Sequence, residues 1–316
     1  MKNFQETLRA TLGSNILGND TVTLERPLKL LRLTGKDPIG MLNAILTNDV
    51  PKEGSTGIYA MLLNPKGRIQ TDLRVLKSGE DVLVATEPEG FDAAREILGR
   101  YAPFSRVKLE ELADWSILGV YGPAAGEILG LDLSEHATTE AEVGGVTVLA
   151  AGVKSPILGH DLILPSDKLS EVQQHLIENG ATTTTPETYE TTRIASGVPR
   201  FGADITPENF PGETGVLQKV VSFEKGCYPG QETVARMHYR GHPNKDLHRF
   251  ACESGNLRRG AEIVQEGKTV GTVTSVAPLS VEDKTFALGY LSRKVGIEAP
   301  MTADDIPLSV LGPVRG

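Results

Sequence analysis

The stretch Gly79-Glu80-Asp81-Val82-Leu83-Val84 is matched almost position by position by Gly159-His160-Asp161-Leu162-Ile163-Leu164. Each is a short apolar run of the kind that forms a strand. Each leads into a helical pattern. Thr86-Glu87-Pro88-Glu89 has a capping-box pattern with proline at the start, and Pro165-Ser166-Asp167 offers polar caps. The apolar residues that follow recur near every 3.6 positions: Phe91, Ala94, Ile97 and Leu98 in one case, Leu169, Val172, Leu176 and Ile177 in the other.

Upstream of each member lies a second matched pair. Leu28–Gly35 reads as a strand, followed by Lys36-Asp37-Pro38 and a helical pattern through Ile39, Leu42, Ile45 and Leu46. Trp115–Gly122 reads the same way and runs through Pro123 into a small-residue helix ending near Leu129. Coincidence between common α/β patterns is the alternative, but four elements in matching order favour a duplication. The expected result is two related α+β lobes facing each other, with a cleft at their junction.

Further along, Thr182–Thr185 reads as a loop. Pro186–Ser196 reads as a helix, with proline in its first turn and Gly197 and Pro199 to stop it. From Leu247 the character changes. Arg249–Cys252, Thr269–Val276 and Phe286–Leu291 are short, β-branched or alternating runs separated by turn residues, which predicts a small antiparallel barrel or sandwich. The expected domains are 1–112, 113–244 and 245–316, in keeping with the two or three that 316 residues allow.

Bulk properties narrow the function. Hydrophobic residues at 39% and charged residues at 23% fit a packed globular protein. A net charge of -9 repels phosphate backbones, so no nucleic-acid partner is expected. Cys227 and Cys252 are the two cysteines, which gives no disulfide framework and points to free thiols in a reducing compartment. Met1–Asp20 lacks an apolar core of signal-peptide length, and no apolar run approaches the ~18–20 residues that span a bilayer. The expectation is a cytoplasmic protein with no membrane partner.

The densest chemical signal is Val220–Arg236. An apolar strand is expected to feed a turn with two glycines and a proline, which opens a helix through Val234, Ala235 and His238. Glycines let the backbone adopt positive φ and approach a ligand, and amides at a helix start can bind an anion. Cys227 lies beside Lys225 and close to that helix start, two features that lower a thiol pKa. A structural turn with an inert cysteine is the alternative. The concentration of Lys, Cys, Tyr, Gln, Glu and Arg favours function.

The run Lys225-Gly226-Cys227-Tyr228-Pro229-Gly230-Gln231-Glu232 resembles the K-G-C-Y-x-G-Q-E signature of the YgfZ proteins, within the glycine-cleavage T-protein family. Thr47-Asn48-Asp49-Val50, Asn64-Pro65-Lys66-Gly67-Arg68, Val234–Arg236, Tyr239–Gly241, Val270–Ser275 and Ala287–Leu291 fit the same family, so the resemblance covers nearly the whole chain. It implies an α+β, three-domain T-protein-like cloverleaf around a folate pocket, with a C-terminal antiparallel β-barrel. It also implies a role in assembling or maintaining iron–sulfur enzymes, with tetrahydrofolate as ligand and iron–sulfur proteins or assembly factors as partners. Cys227 and Lys225 are the candidate reactive pair, and Gly226, Tyr228, Gly230, Gln231, Glu232 and Arg236 around them are candidate cofactor-binding residues.

The alternative is a tetrahydrofolate-dependent aminomethyltransferase or other one-carbon transferase, the activity of the related T-proteins. Those carry a paired Asp-Asp where this chain has Thr71-Asp72, and an R-x-E-x-G pattern where it has Arg193-Ile194-Ala195-Ser196-Gly197. Thr71 and Ala195 argue against glycine cleavage. A reduced folate needs an acceptor at its pterin edge and cations at its anionic tail, for which Asn48, Asp72, Arg68, Arg193 and Arg200 are the candidates. His238, His242 and His248 only superficially resemble a metal face, because Gly241 and Pro243 interrupt the helix, so no metal is expected. Arg236, Arg240, Lys245 and Arg249 form a basic run that could face either a partner or plain solvent.

Overall fold

A computed structural model describes residues 20–253 and 256–315; the reading of Met1–Asp20 falls outside them except for Asp20. The chain divides into two compact units. The described part of one comprises 20–184 and 219–232, and that of the other 185–218, 233–253 and 256–315.

The first unit holds two sheets. Strand β1 (Val22–Arg26) precedes β2 (Lys29–Gly35), helix α1 (Pro38–Ile45), β3 (Ile58–Leu63), β4 (Ile69–Ser78), β5 (Asp81–Thr86), helix α2 (Pro88–Tyr101) and β6 (Val107–Glu111). Then come β7 (Trp115–Tyr121), α3 (Ala125–Leu129), β8 (Thr138–Val143), β9 (Val146–Val153), β10 (Gly159–Pro165), α4 (Leu169–Glu178) and β11 (Thr182–Thr183). One sheet runs β3-β4-β5-β2-β6 and the other β8-β9-β10-β7-β1-β11. The first four positions correspond strand for strand, so the duplication read from the sequence is a duplication of topology.

The two copies differ at the next position. In the first sheet β6 pairs antiparallel with β2. In the second, β1 takes the corresponding place against β7, and β11 adds parallel to β1 beyond it. Thr182–Thr183, expected as loop, is therefore a short edge strand, because β1 leaves a free ladder for its backbone to join.

Strand alternation sorts the side chains. Leu73 and Val75 of β4 pack with α1 and α2 in one core. Leu118, Leu162 and Leu164 pack with α3 and α4 in another. The opposite faces of both sheets meet through Leu30, Leu76, Leu83, Leu149 and Ile163. Helix starts depart from the expected caps. Glu87 caps α2 without a side-chain bond, while Thr86 Oγ1 donates to the Asp72 carbonyl at 2.8 Å instead. Ser166–Lys168 is a 3-10 turn, and α4 also lacks a side-chain cap.

The second unit contains a closed antiparallel barrel of β12 (Lys245–Glu253), β13 (Glu262–Gln265), β14 (Lys268–Val276), β15 (Lys284–Ser292), β16 (Met301–Ala303) and β17 (Ile306–Pro313). Its interior holds Phe250, Ile263, Val273 and Leu291. Pro186–Ser196 forms a helix, as its proline and glycine punctuation predicts, and ends at Gly197 in the left-handed region. Its Ile194 and Ala195 pack with Leu247, Leu288 and Tyr290 of the barrel. This packing places 185–218 with the barrel, whereas the sequence boundaries put it with the second lobe. Arg249, read as part of a basic face, is buried. No described helix is long and apolar enough to cross a membrane.

Candidate functional site

The Lys225–Glu232 segment is fixed at both ends to loops of the first sheet. At one end, the Lys225 Nζ donates to the carbonyls of Leu46 at 2.6 Å and Asn48 at 3.0 Å and lies 5.4 Å from the centre of the Tyr228 ring. Burial pulls the Lys225 ammonium down to about 8, partly opposed by Asp49. At the other end, Gly230 has φ +84°, and a Cβ there would lie 2.6 Å from the Asn64 carbonyl oxygen and 2.8 Å from the Gly67 Cα. The Asn64–Arg68 turn is itself tightened by Asn64 Oδ1, which accepts from the amides of Lys66 and Arg68. Two motifs that are distant in sequence thus pack backbone to backbone.

Between these anchors the chain is open. Cys227 is an exposed free thiol, and a Cβ at Gly226 would meet nothing within 4 Å. Tyr228 turns inward, and burial raises its hydroxyl to about 12. The following helix is Gln231–Arg240, with Glu232, Arg236 and Arg240 exposed. The stretch before the loop is not the strand that its β-branched residues suggested. Leu217–Val220 is a short helix. The Val220 carbonyl accepts from Thr47 Oγ1 at 2.5 Å, and the Ser222 amide donates to the Thr47 carbonyl. These local bonds satisfy the backbone that a ladder would otherwise have taken.

Asn48 serves the same junction. Its amide donates to the carbonyls of Tyr59 at 3.0 Å and Lys219 at 2.9 Å, and its Oδ1 accepts from Asp49. The side chain expected at a pterin edge is therefore engaged with backbone. Thr71 and Asp72 face opposite ways, as neighbours on a strand must. Thr71 is buried against Thr86 on the α2 side. Asp72 lies on the face turned toward the second sheet, where Tyr59 donates to its Oδ2 at 2.5 Å. Burial, then the Asp72 charge, raises the Tyr59 hydroxyl.

That face carries residues that no motif flagged. Arg74, two positions beyond Asp72, pairs with Asp161 of β10, and Asp161 also accepts from the Tyr121 hydroxyl. Tyr121 in turn accepts from Arg26 at 2.9 Å. Burial pushes the Asp161 carboxyl up, but Arg74 and Arg26 outweigh it and hold the group below its ordinary range. The available signal was the pair of opposite charges two positions apart, Asp72 and Arg74, which a strand places on one face.

Arg193 and Arg200, expected at an anionic tail, belong to the barrel unit. Arg193 has all five N–H groups engaged. Nε and one Nη2 hydrogen bind Glu190 at 2.8 and 2.6 Å, Nη1 binds the Val198 carbonyl and Asp204 at 2.5 and 2.8 Å, and Nη2 also reaches Ser275 at 3.1 Å. Its position in the fold is that of a buried tie between helix and barrel. The Arg200 amide donates to Asp204, and its guanidinium lies 3.9 Å from Glu190. Arg68 is half-buried beside the Asn64 turn.

A family model, the GCVT N-terminal domain, matches residues 26–225, well over half of the chain. The chain belongs to this family. The match to the GCVT N-terminal domain ends at Lys225, where the signature segment begins. An uncharacterized protein of Haemophilus influenzae is 28% identical over 264 residues, 79% of this chain and 82% of the relative. A protein named tRNA-modifying protein YgfZ, from Yersinia pseudotuberculosis, is 26% identical over 295 residues, 89% of this chain and 87% of the relative. The structure of glycine cleavage system aminomethyltransferase T from Bartonella henselae superposes with a TM-score of 0.79 at 19% identity, covering 96% of this chain and 88% of that one. This superposition shows a shared fold for the family member described here.

Proposed function

We propose that this protein is a YgfZ-type accessory factor that binds a reduced folate and acts through Cys227 to maintain iron–sulfur enzymes. One observation carries the reading: an exposed thiol sits on a loop anchored at both ends, by Lys225 on the 46–48 carbonyls and by Gly230 on the Asn64–Gly67 turn. Rigid anchorage on either side of an exposed cysteine suits a presented reactive group better than a structural turn. The relatives' name adds tRNA modification as the process served. With a net charge of -9, that service is best read as acting on modifying enzymes and not on tRNA itself.

Asp72 fits a folate. An ionised carboxylate only accepts hydrogen bonds, and the pterin edge presents donors. The chain's own contribution would be to orient the pterin through Asp72 and Tyr59, while Cys227 faces solvent for a protein partner. Calorimetry with 5-formyltetrahydrofolate tests the ligand. A Cys227→Ser strain tests the thiol, with loss of iron–sulfur enzyme activity under oxidative stress as the expected result. No binding heat at millimolar ligand would remove the folate, and a wild-type phenotype would remove the thiol.

A second reading, one-carbon transfer, gains from the same strand. The replaced aspartate position, Thr71, faces α2, whereas the retained Asp72 is on the opposite face with Tyr59. The loss of a carboxylate at Thr71 is then a weaker argument against catalysis than the sequence suggested. Product formation from an aminomethyl donor and tetrahydrofolate would establish it.

A further inference from the structure

Arg74 makes its ion pair through Nη1 alone. Its Nε and Nη2 are buried and have no hydrogen-bond partner. These two atoms form the planar edge of a guanidinium that grips a carboxylate bidentately. The same edge is filled in this way elsewhere in the chain. In Arg193 it holds Glu190, and in Arg258 it holds Asp304 at 3.2 and 2.7 Å. A buried donor pair left without a partner is costly, and no described residue fills the Arg74 edge.

His136 belongs to the same polar cluster. Its backbone is in the left-handed region at φ 63°, a conformation uncommon for a non-glycine residue. It is locked there because the His136 amide donates to the Gly152 carbonyl at 2.9 Å and its carbonyl accepts from Gly57 at 2.8 Å. The His136 Nδ1 is also buried without a partner. Burial, then the charges of Arg74 and Lys219, lower its pKa to about 3, so at neutral pH it offers a hydrogen bond and no charge. The charged groups around it are Arg26, Arg74 and Lys219 on one side and Asp161, Asp72 and Glu87 on the other.

We propose that the Nε–Nη2 edge of Arg74 is a receptor for a single carboxylate of a small molecule bound against the face of the first sheet that carries Tyr59 and Asp72, with the unpartnered Nδ1 of His136 as a second hydrogen-bonding group for it. The planar edge matches two carboxylate oxygens. The site needs neither Cys227 nor a folate, so it stands or falls separately from the function proposed above.

The test is a titration of the full-length protein, isotopically labelled at arginine, with sodium acetate at constant ionic strength set by chloride. Acetamide serves as the neutral isostere. One Nε–H resonance should shift saturably with acetate and stay still with acetamide and chloride. Arg74→Lys keeps the charge but loses the edge. It should remove that resonance and weaken acetate at least tenfold, the scale expected for hydrogen bonds to a charged group. His136→Ala leaves the Arg74–Asp161 pair intact and should weaken acetate severalfold, which keeps the proposal testable if Arg74→Lys does not fold. The proposal is overturned if no resonance shifts saturably, which means that water alone fills the edge. It is also overturned if acetate binds Arg74→Lys as tightly as wild type, or if His136→Ala leaves the affinity unchanged.

Discussion

Gly226 and Gly230 sit four residues apart in one loop, yet their substitutions should behave differently. Gly230→Ala puts a methyl 2.6 Å from a carbonyl oxygen at φ +84°, and should cost about 1–3 kcal/mol. Gly226→Ala meets nothing and should stay within about 0.5 kcal/mol of wild type. Urea midpoints compare the two. Lys225 gives a pH signature. Its ammonium is near 8 when folded against an ordinary 10.5, so over that window the unfolded chain holds more protons, and stability should rise as pH climbs from about 8 to 10.5. Lys225→Met should flatten that rise. His136 acts at the acid end. Held neutral down to about 3 against an ordinary 6.5, it leaves the unfolded chain to bind the extra proton, so its share of stability is lost as pH falls below about 6.5. His136→Asn, which tolerates the left-handed backbone, should reduce the loss. Denaturation curves at stepped pH measure both effects.

At the scale of elements, helix Pro186–Ser196 depends on Arg193, which joins Glu190, Asp204 and Ser275 while only 3% exposed. Arg193→Met takes the cation from Asp204, itself 1% exposed, and should cost about 3–5 kcal/mol, visible as an early loss of barrel signal in urea. The helix itself was legible in the sequence, since proline, glycine and apolar spacing are local signals. So were the duplicated strands, whose apolar runs and order repeat, and the barrel strands after Leu247. The role of Arg193 was not legible, because its four partner residues come from several segments and only the fold assembles them. The same holds for Val220-Val221, whose β-branched side chains suggest a strand until the carbonyl of Val220 is seen to meet Thr47. In the candidate site, the signature loop was readable as a string. Tyr59, Arg74, His136 and Asp161 were not, because they converge from separate strands and one bridging turn with no common spacing.

Across the whole molecule, the two compact units are interleaved in sequence, since 219–232 returns to the first after 185–218 has joined the second. No single cut separates them. A chain ended at residue 244 keeps Ile194 and Ala195, each 1% exposed in the intact protein, without the barrel that covers them. It should bind a hydrophobic dye and self-associate on size exclusion. The fragment 245–316 should be β-rich by circular dichroism and bind the same dye through Leu247, Leu288 and Tyr290. The place of β1 carries a different consequence. This strand is made early but belongs beside β7, with Val22 opposite Tyr121 and Arg26 opposite Ile117. At ribosomal speeds of ~5–20 residues per second, roughly 5–20 s pass before its neighbour exists. The first sheet, complete by Glu111, can close in that interval. For those seconds β1 is an unpaired strand edge on a growing chain, open to pairing with a wrong partner.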